Sequence, residues 1–167
     1  MSQDILYSTG ECVLGVVLVA TNERGVCAIL LGGHAGALER DLQARFPQAS
    51  LRRAGGELEP MLAKVAAHLA SPAAALDLPL DPQGSDFEKR VWRALGEIPA
   101  GTTQTYGEVA QRIGAPQAAK EVGEACAANP IAVAIPCHRV VRKDGSLAGY
   151  RWGVSRKREL LAREAVA

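Results

Sequence analysis

One stretch, Ser71–Asp86 (SPAAALDLPLDPQGSD), does most to limit how this chain can fold. It holds three prolines, three aspartates and no basic residue. Prolines at that density interrupt helices and central strands, so the segment predicts a connector with room for one short strand, Leu76–Leu80. The chain therefore divides near Ser85 into two domains, 1–85 and 86–167. At 167 residues in all, each half is small but within the range of folded domains.

Charge supports the cut. Residues 1–85 carry six Lys/Arg against nine Asp/Glu, net −3, whereas residues 86–167 carry thirteen against nine, net +4. Much of the excess lies past the last cysteine, in Arg139, Arg142, Lys143, Arg151, Arg156, Lys157, Arg158 and Arg163. A basic half suggests a polyanion partner, although a merely solvated basic helix would carry the same charges. The longest apolar run, Cys12–Ala20, is shorter than the ~18 residues of a spanning helix, and no charged leader precedes it. A cytoplasmic monomer without membrane attachment is expected. The four cysteines include no C-x-x-C pair, which favours reduced thiols over a disulfide framework.

In the first half, Cys12–Ala20 and Val26–Leu31 are β-rich runs joined by the hairpin signal Thr21–Gly25. Helices are predicted at 37–46, repeating Leu38, Leu42 and Phe46, and at 58–69, repeating Leu58, Leu62, Val65 and Leu69. His34 and His68 have no other ligand at metal spacing, so neither a metal nor a cofactor is called for.

The second half carries the chemistry. Asp86 can cap a helix bearing Phe87, Val91, Trp92 and Leu95 that ends before Pro99. Thr105-Tyr-Gly-Glu108 is a capping box opening a helix that stops at Gly114. A second helix, 116–128, starts at a proline and stops at Asn129-Pro130. Two short helices joined by Gly114-Ala115-Pro116 make a helix-turn-helix, and a plain αα-hairpin shares that outline. The second helix is rich in small residues (Ala118, Ala119, Gly123, Ala125, Ala127, Ala128), with only Gln117 suited to reading base edges. Small residues allow close approach, either to another helix or to the floor of a minor groove.

Ile131–Ile135 reads as a buried strand, followed by Pro136-Cys137-His138-Arg139. A thiol beside a histidine and an arginine suits an activated nucleophile, since cations or a base favour the thiolate. Side chains at i and i+1 diverge, so His138 needs a bend or a bridging water to take the thiol proton. A carboxylate must also orient its other nitrogen, and Glu164 is one candidate. A buried structural cysteine beside a surface histidine would give the same letters.

The motif Ile135-Pro-Cys-His-Arg-Val-Val141 preceded by Asn129-Pro130 resembles the O6-alkylguanine-DNA alkyltransferase family. So do Thr105-Tyr-Gly-Glu-Val-Ala110, Gly149-Tyr-Arg-Trp-Gly153 and Leu160-Leu-Ala-Arg-Glu164, and Gly25–Leu31 matches its first domain. The tail is most similar to the bacterial Ada C-terminal type. The resemblance implies an α/β (α+β) fold, with a small ribonuclease-H-like domain before a helix-turn-helix, winged-helix-like domain. It implies a partner, double-stranded DNA containing alkylated guanine, whose damaged base is flipped out. Cys137 would take the alkyl group once and irreversibly, from O6-alkylguanine and also from O4-alkylthymine. His138, linked to Cys137 through water and held by Glu164, would relay the proton; Tyr106 would protonate N3 of the leaving base; Asn129 would brace the cysteine turn. The carbonyls of Cys137 and Val140 would accept from the guanine amino group. The Arg151 amide or the neighbouring Tyr150 would face O6, and Trp152 would limit the alkyl pocket to small groups. Ala118, Ala119, Lys120, Gly123 and Arg139 would contact DNA.

The sequence departs from the family at Lys120, where an arginine that fills the vacated stack is usual, and at Glu121 and Glu124, where small residues are usual. A lesion-binding protein without transfer and a Cys-His hydrolase are the alternative readings; no oxyanion hole is marked for the latter.

Overall fold

A computed structural model describes residues 3–147 and 149–165. Strand β1 (Asp4–Cys12) runs antiparallel to β2 (Gly15–Thr21), from Leu6 opposite Thr21 to Cys12 opposite Gly15. The apolar run at 12–20 is thus two strands rather than one. It breaks at Val13-Leu14 because Gly15 takes φ +114°, a conformation open to glycine. Strand β3 (Val26–Gly32) completes the expected hairpin with β2. Its turn is closed by the Asn22 side chain, which accepts the amides of Arg24 and Gly25 at 2.9 and 3.1 Å.

Helix α1 (Ala35–Arg45) leads to β4 (Ser50–Arg53), which returns parallel to β1. The order β3-β2-β1-β4 is that of a ribonuclease-H-like sheet. Helix α2 (Glu59–Ala70) follows, and both helices cover the sheet, burying Leu38 and Leu42 from α1 and Leu62, Val65 and Leu69 from α2. In the connector the expected strand is reduced to a bridge between Leu80 and Val26. Prolines 79 and 82 flank that bridge and leave no run of free amides to extend it.

Ser85, not Asp86, caps α3 (Asp86–Gly96): its hydroxyl takes the Glu88 amide at 3.1 Å and Glu88 reaches back to the Ser85 amide at 2.8 Å. The Thr105–Glu108 capping box forms as read, with bonds of 3.0 and 3.1 Å. It joins β5 (Gln104–Thr105) to α4 (Tyr106–Arg112). Gly114, at φ +76°, turns the chain toward α5 (Ala119–Ala127). The second helix starts later than Pro116 because Ala115–Ala118 closes a turn of its own, the Ala118 amide meeting the Ala115 carbonyl at 2.9 Å.

Ile131–Ile135 is buried as expected but is not a strand. Pro130 and Pro136 bound it, and it folds into a tight turn in which the Ile135 amide returns to the Ile131 carbonyl at 3.1 Å, with Val133 at φ +61°. The turn is pinned to β3 on both sides of one residue. The Ile29 amide donates to Pro130 at 3.0 Å and its carbonyl accepts from Ala132 at 2.9 Å. A 3₁₀ turn, Cys137–Arg139, leads into β6 (Val140–Val141), which pairs with β5, and α6 (Val154–Ala165) closes the chain. The apolar core is continuous across Ser85, running from Leu18 and Ile29 in the sheet through Ile131 to Trp92 and Val109.

Candidate active site

Cys137 opens the 3₁₀ turn with only 4% of its surface exposed. Asn129 organises what precedes it: its side-chain amide donates to the Ile135 carbonyl at 2.8 Å and to Cys137 Sγ at 3.2 Å, while its oxygen accepts the Ile131 amide at 2.9 Å. Burial pushes the Cys137 thiol up to about 11, against the lowering pull of Asn129 and of the Lys157 and Arg151 charges. At neutral pH the group is a thiol, so nucleophilic use requires a base.

His138 follows Cys137 in the same 3₁₀ turn. Its Nε2 lies 2.9 Å from Glu164 Oε2, and both side chains are essentially inaccessible. Burial lowers the His138 pKa, keeping the ring neutral, although Glu164 pulls the other way. Burial alone would raise the Glu164 carboxyl; hydrogen bonds from His138 and Arg139 outweigh it and hold the group at about 2. An ionised Glu164 assigns the proton to Nε2, leaving a lone pair on Nδ1, which is buried without a partner.

Two basic residues behave differently from their reading as surface charge. Arg139 does not face DNA. Its guanidinium is turned inward by the 3₁₀ turn, binding Glu164 through Nε at 3.0 Å and Nη2 at 2.6 Å and the Ile98 carbonyl at 2.7 Å. Lys157, 1% exposed, donates Nζ to the Val140 carbonyl at 2.7 Å. Sequence reasoning missed it, yet Lys157, Leu160 and Glu164 follow at helical spacing and are the three buried residues of α6. Of the eight basic residues past the last cysteine, Arg142, Lys143 and Arg158 are exposed and outside every ion pair among the described residues.

Over Cys137 lies a pocket of about 360 Å³. Tyr106 of α4, Gly123, Cys126 and Ala127 of α5, and Gly149–Arg151 line it. A Cβ at Gly123 would stand 3.8 Å from the Tyr106 ring, an ordinary contact that shows how closely α5 meets α4. Burial pushes the Tyr106 hydroxyl up to about 12, so it keeps its proton at neutral pH. The Tyr150 hydroxyl is buried and unpartnered. Trp152 does not border the pocket; it lies in the core, edge-on to Tyr150 at 5.3 Å. Val140 is also behind the wall, and its carbonyl already serves Lys157 as that of Cys137 serves the Val140 amide, each with one lone pair left. A larger hollow, about 610 Å³ around Asn22, Asp81 and Gln83, is lined by no cysteine, serine or histidine.

On α5, Val122, Ala125 and Cys126 are buried, whereas Lys120, Glu121 and Glu124 are exposed and Ala118, Ala119 and Gly123 partly so. Lys120 and Glu124 do not form an ion pair. Among the described residues no group of three His, Cys, Asp or Glu is placed to hold a metal, and no helix is long and apolar enough to cross a membrane.

A ribonuclease-H-like sheet joined to a helix-turn-helix, with a buried cysteine lining a pocket and a carboxylate-held histidine next to it in sequence, defines an α+β protein of the helix-turn-helix class with a cysteine-bearing pocket. Residues 86–166 match the family described as 6-O-methylguanine DNA methyltransferase, DNA binding domain. The Escherichia coli bifunctional transcriptional activator/DNA repair enzyme Ada is 49% identical over 96% of this chain and 46% of its own length. The chain thus spans about half of that relative. A methylated-DNA–protein-cysteine methyltransferase of Methanosarcina barkeri is 39% identical over 95% of this chain and 96% of its own. The crystal structure of Mycobacterium tuberculosis OGT in complex with DNA superposes with a TM-score of 0.81, at 35% identity, covering 96% of this chain and 93% of that one. The chain belongs to the O6-alkylguanine-DNA alkyltransferase family, the methylated-DNA–protein-cysteine methyltransferases.

Proposed function

We propose that this protein repairs double-stranded DNA by moving the alkyl group of O6-alkylguanine, and of O4-alkylthymine, onto its own Cys137. One observation carries the reading: Cys137 lines a pocket, and the residue that follows it is a neutral histidine whose Nε2 is fixed by Glu164 at 2.9 Å. The thiol proton passes to His138 Nδ1 through a bridging water, and Glu164 stabilises the resulting imidazolium. The sulfur attacks the alkyl carbon, a C–S bond forms, and the C–O6 bond breaks with its electron pair going to the base. Tyr106, protonated at neutral pH, supplies a proton to N3 of the departing base. A thioether has no leaving group in this site, so each molecule acts once.

The target atom cannot be reached inside a duplex, so the base must rotate out of the stack into the pocket. The outer face of α5, with Ala118, Ala119, Lys120 and Gly123, is the surface proposed to enter the minor groove. Arg139 is left out of that surface, since it binds Glu164. Tyr150 and Arg151 are the proposed contacts to O6. The division at Ser85 is proposed as a functional one, acceptor and DNA-binding elements lying in 86–167, and the site of action as the cytoplasm. The test is to mix the protein with a duplex containing O6-methylguanine and record its intact mass. One methyl group on Cys137 supports the proposal; tight binding without gain of mass indicates a lesion binder instead.

A further inference from the structure

Helix α1 belongs to the half that carries no chemistry, yet it touches two of the segments that line the pocket. It packs on the sheet through Leu38 and Leu42. Asp41 and Arg45 stand at the edge of that face, four residues apart and therefore one above the other. Arg45 Nη2 donates to the carbonyl of Ala128, the residue that closes α5. A helix end presents unpaired carbonyls and a partial negative charge, which a guanidinium satisfies on both counts. The Asp41 carboxylate receives Arg151 Nη2 at 3.3 and 3.4 Å. That guanidinium also lies over the Trp152 ring, 5.5 Å from its centroid. Arg151 and, from the last turn of α5, Cys126 and Ala127 line the same pocket as Cys137. The two arginines repel each other, and Asp41 stands beside both.

We infer that α1 is a clamp on the pocket: Asp41 holds the Arg151 loop, Arg45 holds the end of α5, and together these positioning residues set how far the pocket opens over Cys137. The inference rests on reading Cys137 as the alkyl acceptor. The Asp41 side chain is 40% exposed and that of Arg151 18%. Ion pairs this open add little to stability; what this one fixes is where the Arg151 side chain stands at the pocket.

The test uses the full chain with Asp41→Asn, Arg45→Met, Arg45→Lys and Arg151→Met, each checked for folding by its melting temperature. Cys137 is titrated with iodoacetamide, a small neutral electrophile that needs no DNA, and labelling is followed by peptide mass. Asp41→Asn and Arg45→Met are expected to raise the labelling rate by about fivefold, the scale of an exposed pair, while Arg45→Lys stays near the unaltered protein. With methylated duplex the same two variants lower the limiting transfer rate and leave the half-saturating DNA concentration unchanged, because the outer face of α5 is untouched. Asp41→Asn adds nothing in the Arg151→Met background. Unchanged labelling in folded Asp41→Asn and Arg45→Met, or an undiminished effect of Asp41→Asn beside Arg151→Met, overturns the clamp. Failure of the unaltered protein to accept a methyl group would instead refute the function, and the labelling changes would still report on the clamp.

Discussion

His138 Nε2 meets Glu164 Oε2 at 2.9 Å, and the same carboxylate oxygen is 2.6 Å from Arg139 Nη2. One acidic group therefore orients the base and neutralises a buried guanidinium. Glu164→Gln should remove both effects. Breaking a buried pair by deleting one partner typically costs about 3–5 kcal/mol, so a large fall in melting temperature is expected together with at least a tenfold loss of transfer rate. Thermal denaturation and single-turnover kinetics on methylated duplex check the two effects separately.

The pH dependence follows from the same pair. Glu164 titrates at about 2 when folded, below its ordinary 4.5, so its stabilisation is complete above about 4.5 and is lost as pH falls toward 2. The lowered His138 pKa has a further consequence. Below the ordinary value of 6.5 an unfolded histidine binds a proton that the folded one resists, so stability starts to decline there. Transfer needs neutral His138 and should persist into mildly acid solution, falling only as pH drops through the lowered pKa. A transfer rate already halved at pH 7 would contradict this environment for the ring.

Cys137 should be the sole acceptor. Cys126 borders the same pocket, but burial pushes its thiol far up and no histidine or carboxylate serves it. Cys27 is likewise pushed up to about 12. Cys137→Ser is expected to abolish transfer and keep DNA binding, and Cys126→Ser to keep both. Peptide mapping after reaction decides the point, since a methyl group on Cys126 would defeat it.

Lys120 is exposed and unpaired with Glu124, so it is free to enter the duplex. It lacks the planar fork that lets arginine stack on bases and donate in a fixed geometry. Lys120→Arg should speed repair of duplex more than reaction with free O6-benzylguanine, which needs no flipping. Glu121→Ala should strengthen binding to all sequences alike, because it alters phosphate electrostatics and not base readout. Equal acceleration on both substrates would remove Lys120 from the flipping step.

Trp152 backs Tyr150 and leaves the pocket wall to its neighbour. Trp152→Gly should therefore act through Tyr150, whose ring gains room to retreat, and O6-benzylguanine should react faster at a stability cost of about 3–5 kcal/mol for the lost aromatic. Faster reaction with no fall in melting temperature would mean that the indole is not part of the core.

What could be read from sequence was set by how local each interaction is. The Thr105–Glu108 box was legible because both partners lie within one turn. Strands β1 and β4 escaped notice because their polar residues, such as Ser8, Thr9, Arg52 and Arg53, conceal pairing that only distant partners reveal. The run Ile131–Ile135 announced its burial correctly and its conformation wrongly, since an apolar run does not distinguish a strand from a turn held by Asn129. Counting charges placed Arg139 and Lys157 outside, but a buried carboxylate and a carbonyl draw them in. Glu164, 26 residues from His138, was legible only as one candidate carboxylate until the family motifs singled it out, as no periodicity links a 3₁₀ turn to a helix so far along the chain.

Both polar groups of the Ile29 backbone are bonded to the turn that ends at the cysteine, one to Pro130 and one to Ala132. The Ile29 amide can exchange its hydrogen with solvent only when that turn lifts away from β3. A single peptide group in the first half thus serves as a clock for openings in the second, and its deuterium uptake before and after alkylation reads out whether a spent site breathes more often than a fresh one.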